Sequence, residues 1–243
     1  MTTAAPPNPQ ELEEKGVLRL GLGAGLGFAG AITAIVVPLT FLFLVANFPG
    51  GFFVWNSMFV EVLSILVIAG AILLLISLFV YRRSFAALRK VDRRFLAASV
   101  LCIIGSLGFL LLLVAVAVVA NNSGSLLTCV RGPTSGALHC LESGQPLGAY
   151  TGLIGFFLGW IGGVGIVLGL LMAGGRFHNG SISAGGVVYA LLLVVLILPF
   201  VALFVTVPGA KDLVIIAPLL AVVGPGLALA GSVRTSRKIA APS

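Results

Sequence analysis

The residues best suited to chemistry are Cys129, His139 and Cys140, which lie in one polar segment with ten residues between the two cysteines. Two thiols at this spacing can form a disulfide, which would stabilise the loop by up to roughly 3 kcal/mol on a chain-entropy model. Together with His139 they could instead bind a soft metal ion, but the segment offers no clear fourth ligand. We therefore expect a structural disulfide between Cys129 and Cys140 and no metal site. Two free thiols remain the alternative.

Glu61 is the one acidic residue within a long apolar run. A carboxylate in a membrane span is by default a candidate site for a cation or a proton. Glu61 lies about one helical turn from the end of its run, so its carboxylate can also reach the membrane interface. We favour the interfacial position and keep an ion site at Glu61 as the alternative.

The usual constellations of membrane enzymes are missing from the sequence. The apolar runs contain no histidine and no pair of aspartates, and the fourth run has no serine. Rhomboid-type serine proteases, aspartyl intramembrane proteases and helical haem or iron sites need such residues. Residues 25–30 match the pattern G-x-G-x-x-G, but this pattern binds a dinucleotide only between a strand and a helix of an α/β unit. We expect no enzyme activity and no cofactor.

The composition places the chain in a membrane. Only 9% of the residues are charged and 59% are hydrophobic, whereas a soluble domain has roughly a quarter charged residues. Six apolar runs have lengths near the 20 or so residues that cross a hydrocarbon core. The sequence therefore predicts an all-α, polytopic transmembrane helical bundle, with spans at about 17–46, 57–81, 95–120, 149–174, 184–207 and 213–233.

The distribution of lysine and arginine predicts the orientation. Alternate connections hold twelve of the fourteen basic residues, and the other side holds only Arg131 and Lys211. The positive-inside rule assigns the twelve to the cytoplasm, together with both termini. The twelve are Lys15, Arg19, Arg82, Arg83, Arg89, Lys90, Arg93, Arg94, Arg176, Arg234, Arg237 and Lys238.

The predicted organisation has three parts. Residues 1–16 form a mobile cytoplasmic tail, residues 17–233 form the transmembrane domain, and residues 234–243 form a basic cytoplasmic tail. The transmembrane domain has an outer loop at 121–148 and a basic cytoplasmic loop at 82–94. We expect the protein in the cell membrane as a multi-pass protein.

A stripe of small residues marks the fourth span. Gly155, Gly159 and Gly163 are each four residues apart and share one helix face. Such a stripe lets another helix approach closely. We expect packing within the chain's own bundle. A seam with a second copy or a partner subunit is the alternative.

The loop at 82–94 is the most basic segment. Tyr81, Phe85, Leu88 and Phe95 recur at helical spacings among its cations. This pattern is typical of a helical turn that lies on anionic headgroups, although simple retention of the loop inside the cell is sufficient to explain the charges. The candidate lipid contacts are Arg82, Arg83, Arg89, Lys90, Arg93 and Arg94.

The segment with Phe85-Ala-Ala-Leu88 and Phe95, followed by Cys102-Ile-Ile-Gly105, resembles uncharacterised archaeal multi-pass membrane protein families of unknown function. The resemblance covers about one helical hairpin. It implies membrane localisation and no known activity.

Two functional hypotheses follow from the sequence. The missing catalytic groups and the glycine-rich faces favour a non-catalytic accessory or structural subunit, or a self-associating scaffold. The prolines in the fifth and sixth spans, together with Glu61, favour a small transporter or channel for an ion or small solute. The expected partners are the lipid bilayer and a partner membrane subunit or a second copy. Nucleic acid is not expected, because the positive charge sits in short segments between apolar runs.

Overall fold

A computed structural model of the chain describes residues 8–36, 57–121, 146–202 and 216–240, and every regular element within these ranges is helical. Six helices are long and apolar enough to cross a membrane. The predicted all-α bundle of six spans is therefore confirmed. The helices are α1 (Pro9–Ala31), α2 (Ser57–Leu88), α3 (Phe95–Asn121), α4 (Pro146–Arg176), α5 (Gly180–Ala202) and α6 (Ala217–Ala240), and a π-helical segment, Ile32–Val36, continues α1.

The first helix begins at Pro9, eight residues before the predicted span at 17. The Asn8 side chain accepts a hydrogen bond from the backbone N–H of Gln10 at 3.1 Å. Pro9 suits the first helical position because no intrahelical donor is needed there. The negative charge of Glu11 in the first turn stabilises the helix, because it lies at the positive end of the helix dipole. Residues 9–16 of the predicted mobile tail are therefore helical. The apolar runs of the sequence do not predict this helix start, because the capping residues are polar.

Two other helices also extend beyond their apolar runs. α2 continues to Leu88, past the predicted end at 81, and α6 continues to Ala240. Residues 234–240, predicted as a basic tail, therefore form the last turns of α6. Charged residues end a hydrophobic run, but long basic side chains are good helix formers and do not end a helix.

The helices form a closed, antiparallel ring in chain order. Each helix packs against the next, and α6 packs back against α1. Three residues join α4 to α5 and six join α2 to α3, and such short connections force neighbouring helices to run antiparallel. The ring order brings the start of α1, the loop at 89–94 and the turn at 177–179 to the same end of the bundle.

The backbones of α3 and α4 are in direct contact. A Cβ atom built on Gly105 would lie 2.3 Å from the Cα of Gly162, and one built on Gly108 would lie 2.3 Å from the backbone nitrogen of Gly159. These distances leave no room for any side chain at Gly105 or Gly162. The two backbones touch directly, which maximises van der Waals contact where hydrocarbon surrounds the helices.

Serine hydroxyls bind α2 to α1. Ser77 Oγ donates to the carbonyl of Gly23 at 2.7 Å, and Ser84 Oγ donates to the carbonyl of Gly16 at 2.7 Å. The serines are seven residues apart and therefore lie on one face of α2. A side chain at Gly16 would collide with Leu88 and one at Gly23 would press on the Tyr81 ring, so these glycines let α2 lie close to α1.

An aromatic stack fills the bundle near its basic end. The ring centroids of Tyr81 and Phe85 are 5.8 Å apart, and those of Phe85 and Phe95 are 6.2 Å apart. All three side chains are fully buried. Gly169 of α4 faces the Phe85 ring and makes room for it. The interior of this end is thus packed with side chains.

Two glycines of α4 should respond differently to the same substitution. Gly162→Ala should lower the free energy of unfolding by about 1–3 kcal/mol, because its methyl group overlaps the backbone of α3. Gly159→Ala is the matched control, since its methyl group would meet only Leu112 Cδ1 at 3.9 Å. The measurement is denaturant unfolding of the purified protein in mild detergent. Equal effects of the two variants would contradict the close contact between α3 and α4.

Candidate functional site

The bundle gathers its described cations at one end. The start of α1, the ends of α2, α4 and α6, and the loop at 89–94 all lie there, as ion pairs and hydrogen bonds between these segments show. The twelve basic residues that the sequence assigns to one side of the membrane belong to these segments. This end is called the basic end below.

Arg176, the last residue of α4, joins three segments at the basic end. Its guanidinium donates hydrogen bonds from Nε and Nη2 to Glu13 Oε1 on α1, with the Nε distance 3.2 Å. Its Nη1 lies 3.6 Å from Asp92 Oδ2 in the loop between α2 and α3. Asp92 also accepts a hydrogen bond from the N–H of Arg94 through Oδ1, at 3.0 Å. One arginine thereby holds two carboxylates and fixes the α2–α3 loop against the end of α4.

The turn between α4 and α5 is held against α6 by Asn179. Its Oδ1 accepts a hydrogen bond from the N–H of Ser181, which caps α5. Its Nδ2 donates to the carbonyl of Gly231 at 2.8 Å and to Thr235 Oγ1 at 2.9 Å. His178 precedes it with φ of 48°, a left-handed conformation that lets the chain reverse here. The turn therefore has a defined position relative to α6.

A cavity of about 560 Å³ opens beside this turn. The α5 side contributes His178, Asn179, Gly180 and Ser181, and the α6 side contributes Arg234, Arg237 and Lys238. A Cβ atom built on Gly180 would have no neighbour within 4 Å, so the space above the start of α5 is open. We call this space the α5–α6 cavity.

A second opening is a groove of about 470 Å³ on the outside of the ring, between α1 and α6. Small residues line it from both helices, namely Gly21, Gly25, Ser232 and Ser236. Exposed apolar side chains border it, with Leu18 66% and Leu22 58% exposed. Arg19 lies at the basic end of this groove. We call it the α1–α6 groove.

The interior holds two buried phenols at one level. The Tyr81 hydroxyl is buried and interacts with the Tyr189 hydroxyl of α5, although it makes no hydrogen bond of standard geometry within the described ranges. Gly27 lies beside Tyr189, since a Cβ atom there would be 3.2 Å from the Tyr189 hydroxyl and 3.1 Å from Ser77 Oγ. The Pro225 ring lies at the same level and interrupts the hydrogen-bond ladder of α6.

The structure places the predicted glycine stripe against helices of the same chain. A Cβ atom on Gly155 would lie 2.8 Å from the carbonyl oxygen of Gly108, and one on Gly163 would lie 2.5 Å from Leu193 Cδ2. Gly159 has ordinary contact space for a methyl group, although its backbone contacts Gly108. The stripe therefore packs against α3 and α5 in the described structure.

The apolar residues of the basic loop lie elsewhere than expected. Tyr81, Phe85, Leu88 and Phe95 are each 0% exposed, so they pack in the core and do not lie on headgroups. Their helical spacing is that of a buried face, because α2 continues to Leu88 inside the bundle. The candidate lipid contacts Arg82, Arg83, Arg89, Lys90, Arg93 and Arg94 are exposed at the basic end.

Several predicted positions fall outside what the structure describes. Cys129 and Cys140 lie outside the described residues, and so does most of the predicted outer loop. Glu61 lies in α2, but its side chain is not among those described. Cys102 is buried and free. The described residues contain no cluster of three metal-binding side chains.

Sequence reasoning missed the α5–α6 cavity. The charge pattern uses Arg234, Arg237 and Lys238 only to predict topology, and it gives no role to His178. The spacing i, i+3, i+4 would have put these three cations on one face, had residues 234–240 been taken as helix. The facing turn at 178–181 could not be found this way, because its position depends on the packing of α5 against α6.

No protein-family model, curated protein or solved structure matches this chain.

Replacing the arginine that joins three segments should loosen the basic end. Arg176→Gln removes the partner of two carboxylates, and we expect the free energy of unfolding to fall by about 1–2 kcal/mol. Trypsin should also cut faster after Lys15 and Arg19. Arg83→Gln is the matched control, because Arg83 is exposed and has no ion pair among the described residues. If both variants unfold and are cleaved alike, Arg176 does not stabilise this end.

Proposed function

We propose that the protein is a non-catalytic accessory subunit of a membrane complex, in which the α1–α6 groove receives a transmembrane helix of another subunit. The groove carries this proposal. It is an unfilled, small-residue surface on the membrane-facing side of the ring. Small residues allow close approach of helix backbones, which is the main source of helix association in lipid.

Both walls of the groove have the spacing that a docking helix needs. Gly21 and Gly25 are four residues apart on α1, and Ser232 and Ser236 are four apart on α6. The serine hydroxyls bond to carbonyls of their own helix, with Ser232 donating to Leu229 and Ser236 to Val233. Ser232 is 1% exposed and packs against Gly21, so Ser236, which is only half-buried, is the serine that a docking helix can reach. A helix with a carboxylate near its end would pair with Arg19.

The shape of the groove favours a different chain over a second copy. In a two-fold dimer the same surface meets itself, so a concave groove would face another concave groove. Such an arrangement leaves space between the copies. A convex helix from another subunit fills it. The glycine stripe of α4 offers little to a second copy, since it packs against α3 and α5.

We also infer that the basic end faces the cytoplasm, with both termini inside, and that the membrane is the cell membrane. The charge distribution supports this orientation, because basic residues near span ends are retained on the cytoplasmic side. All twelve basic residues assigned to one side belong to segments at the basic end.

The competing candidate is a small transporter or channel for an ion or small solute. It is supported by the buried hydroxyls of Tyr81 and Tyr189 and by Pro225, which frees a backbone carbonyl inside the bundle. Solute flux in liposomes that Glu61→Gln or Tyr81→Phe abolishes would favour it over the accessory subunit.

Site-specific crosslinking tests the docking proposal. A photoreactive amino acid at Leu22, on the border of the groove, should give one defined adduct with another membrane protein in the native membrane. The same group at Leu107 is the control, because Leu107 is 55% exposed on α3, away from α1 and α6. It should give no such adduct. Mass spectrometry of the adduct identifies the partner.

Filling the groove should remove that partner without unfolding the chain. Gly25→Leu fits this purpose, since a Cβ atom there would meet only Leu229 Cδ1, at 3.8 Å. Gly175→Leu is a control at an open position outside the groove. If the only adducts formed were with a second copy of the chain, the protein would be a self-associating scaffold and not an accessory subunit. Adducts with lipid alone would refute docking in the groove.

Labelling tests the orientation separately. Cys129→Ser and Cys140→Ser leave only the buried Cys102, and Arg83→Cys then adds one exposed thiol at the basic end. A membrane-impermeant maleimide should label this thiol only after the cells are permeabilised. Labelling in intact cells would reverse the orientation.

A further inference from the structure

Three basic side chains converge on the α5–α6 cavity without a counter-charge. Arg234, Arg237 and Lys238 lie within about one turn of α6, so their positive charges repel one another. None of them has an ion pair among the described residues, although Arg176 at the same end has two carboxylate partners. An anion between them would relieve this repulsion.

The opposite wall of the cavity also favours negative charge. α5 begins at Gly180, and its N-terminus carries the positive end of a helix dipole. The N–H of Ser181 is bound by the Asn179 side chain, whereas no bond from the N–H of Gly180 occurs in the described structure. His178 adds a ring that can donate a hydrogen bond. Donors therefore face the cations of α6 across the cavity.

The two walls of the cavity have a fixed position relative to each other because hydrogen bonds join them. The Asn179 side chain reaches Gly231 and Thr235 of α6, one turn or less from Arg234 and Lys238. The backbone of both walls would thus be in place before a ligand binds, and the exposed side chains of Arg234, Arg237 and Lys238 would close on it. Such pre-formation lowers the entropic cost of binding.

We propose that the α5–α6 cavity binds a phosphate group. Arginine forks match phosphate oxygens in pairs, and lysine adds a point charge. The volume of about 560 Å³ exceeds that of a bare inorganic ion and admits a phosphorylated headgroup or a small phosphorylated solute. The cavity lies at the end of two membrane-crossing helices, where basic pockets meet anionic headgroups. It is separate from the exposed cations of the loop at 82–94.

Ligand-induced stabilisation of the full chain tests the proposal. The purified protein in neutral detergent is titrated with short-chain phosphatidic acid, with short-chain phosphatidylcholine and with inorganic phosphate, at constant ionic strength. Phosphatidic acid should raise the unfolding temperature in a saturable way. Comparison with inorganic phosphate distinguishes a soluble phosphate ligand from a lipid headgroup. If inorganic phosphate stabilises the protein as much as phosphatidic acid does, the ligand is a soluble phosphate; if phosphatidic acid binds more tightly, the ligand is a headgroup.

The double variant Arg237→Gln, Lys238→Gln should weaken apparent phosphate binding at least about tenfold, which corresponds to roughly 1.4 kcal/mol. Its own unfolding temperature should hardly change, because neither side chain has a partner in the described structure. The control is Arg82→Gln, Arg83→Gln, which removes the same charge from the same end outside the cavity. This control should bind as the parent does.

Two results would overturn the proposal. Equal weakening in both double variants would mean that phosphate is attracted only by the general charge of the basic end. Absence of a saturable response in the parent protein would mean that the cavity has no phosphate site. Neither result would bear on the α1–α6 groove, whose residues are different.

Discussion

Direct backbone contact between antiparallel helices is the interaction on which this bundle depends. In a bilayer the burial of apolar side chains between helices gains little, because lipid is as apolar as the interior. Stability must then come from close van der Waals packing and from hydrogen bonds. The contact of Gly105 with Gly162 supplies the first, and the bonds from Ser77 and Ser84 to α1 supply the second. Glycine backbones and serine hydroxyls together therefore hold the helices in contact.

Charge is organised by the same medium. Ionised groups are costly within hydrocarbon, so the described cations gather at one end of the bundle. The Arg176 side chain is partly buried, and two carboxylates beside it neutralise its charge. The cations of α6 differ from Arg176 of α4, because they have no carboxylate partner within the described ranges. An arginine that pairs with carboxylates of its own chain and an arginine that binds an external anion are the same residue type, and only their surroundings distinguish them.

The number and type of helices could be predicted from the sequence, because a bilayer imposes both the length and the apolarity of a span. The ends could not be predicted by the same reasoning. Asn8 and Pro9 start α1 through capping, and Arg234 to Lys238 continue α6 although they are charged. A hydropathy profile detects neither helix capping nor the continuation of a helix through charged residues. The aromatic residues around the basic loop were assigned to the membrane surface for a related reason, since a helical period shows that a face exists but not what covers it.

The candidate sites depend still more on tertiary packing. The groove needs α1 beside α6, and the cavity needs the turn at 178–181 beside Arg237; no spacing within one segment encodes either pair.

The two sites use different faces of α6, and this separation has a functional consequence. Ser232 and Ser236 face the groove, whereas Arg234 and Lys238 face the cavity. A shift of two residues turns a helix by about 200°, so these pairs point in nearly opposite directions. A helix docked in the groove would leave the cavity open, and a phosphate in the cavity would leave the groove free. Both ligands would nevertheless bind the same rigid helix within about two turns of its end. If docking in the groove required phosphate in the cavity, the coupling would have to pass through the position of α6, and the bonds of Asn179 to Gly231 and Thr235 are the contacts that would transmit it.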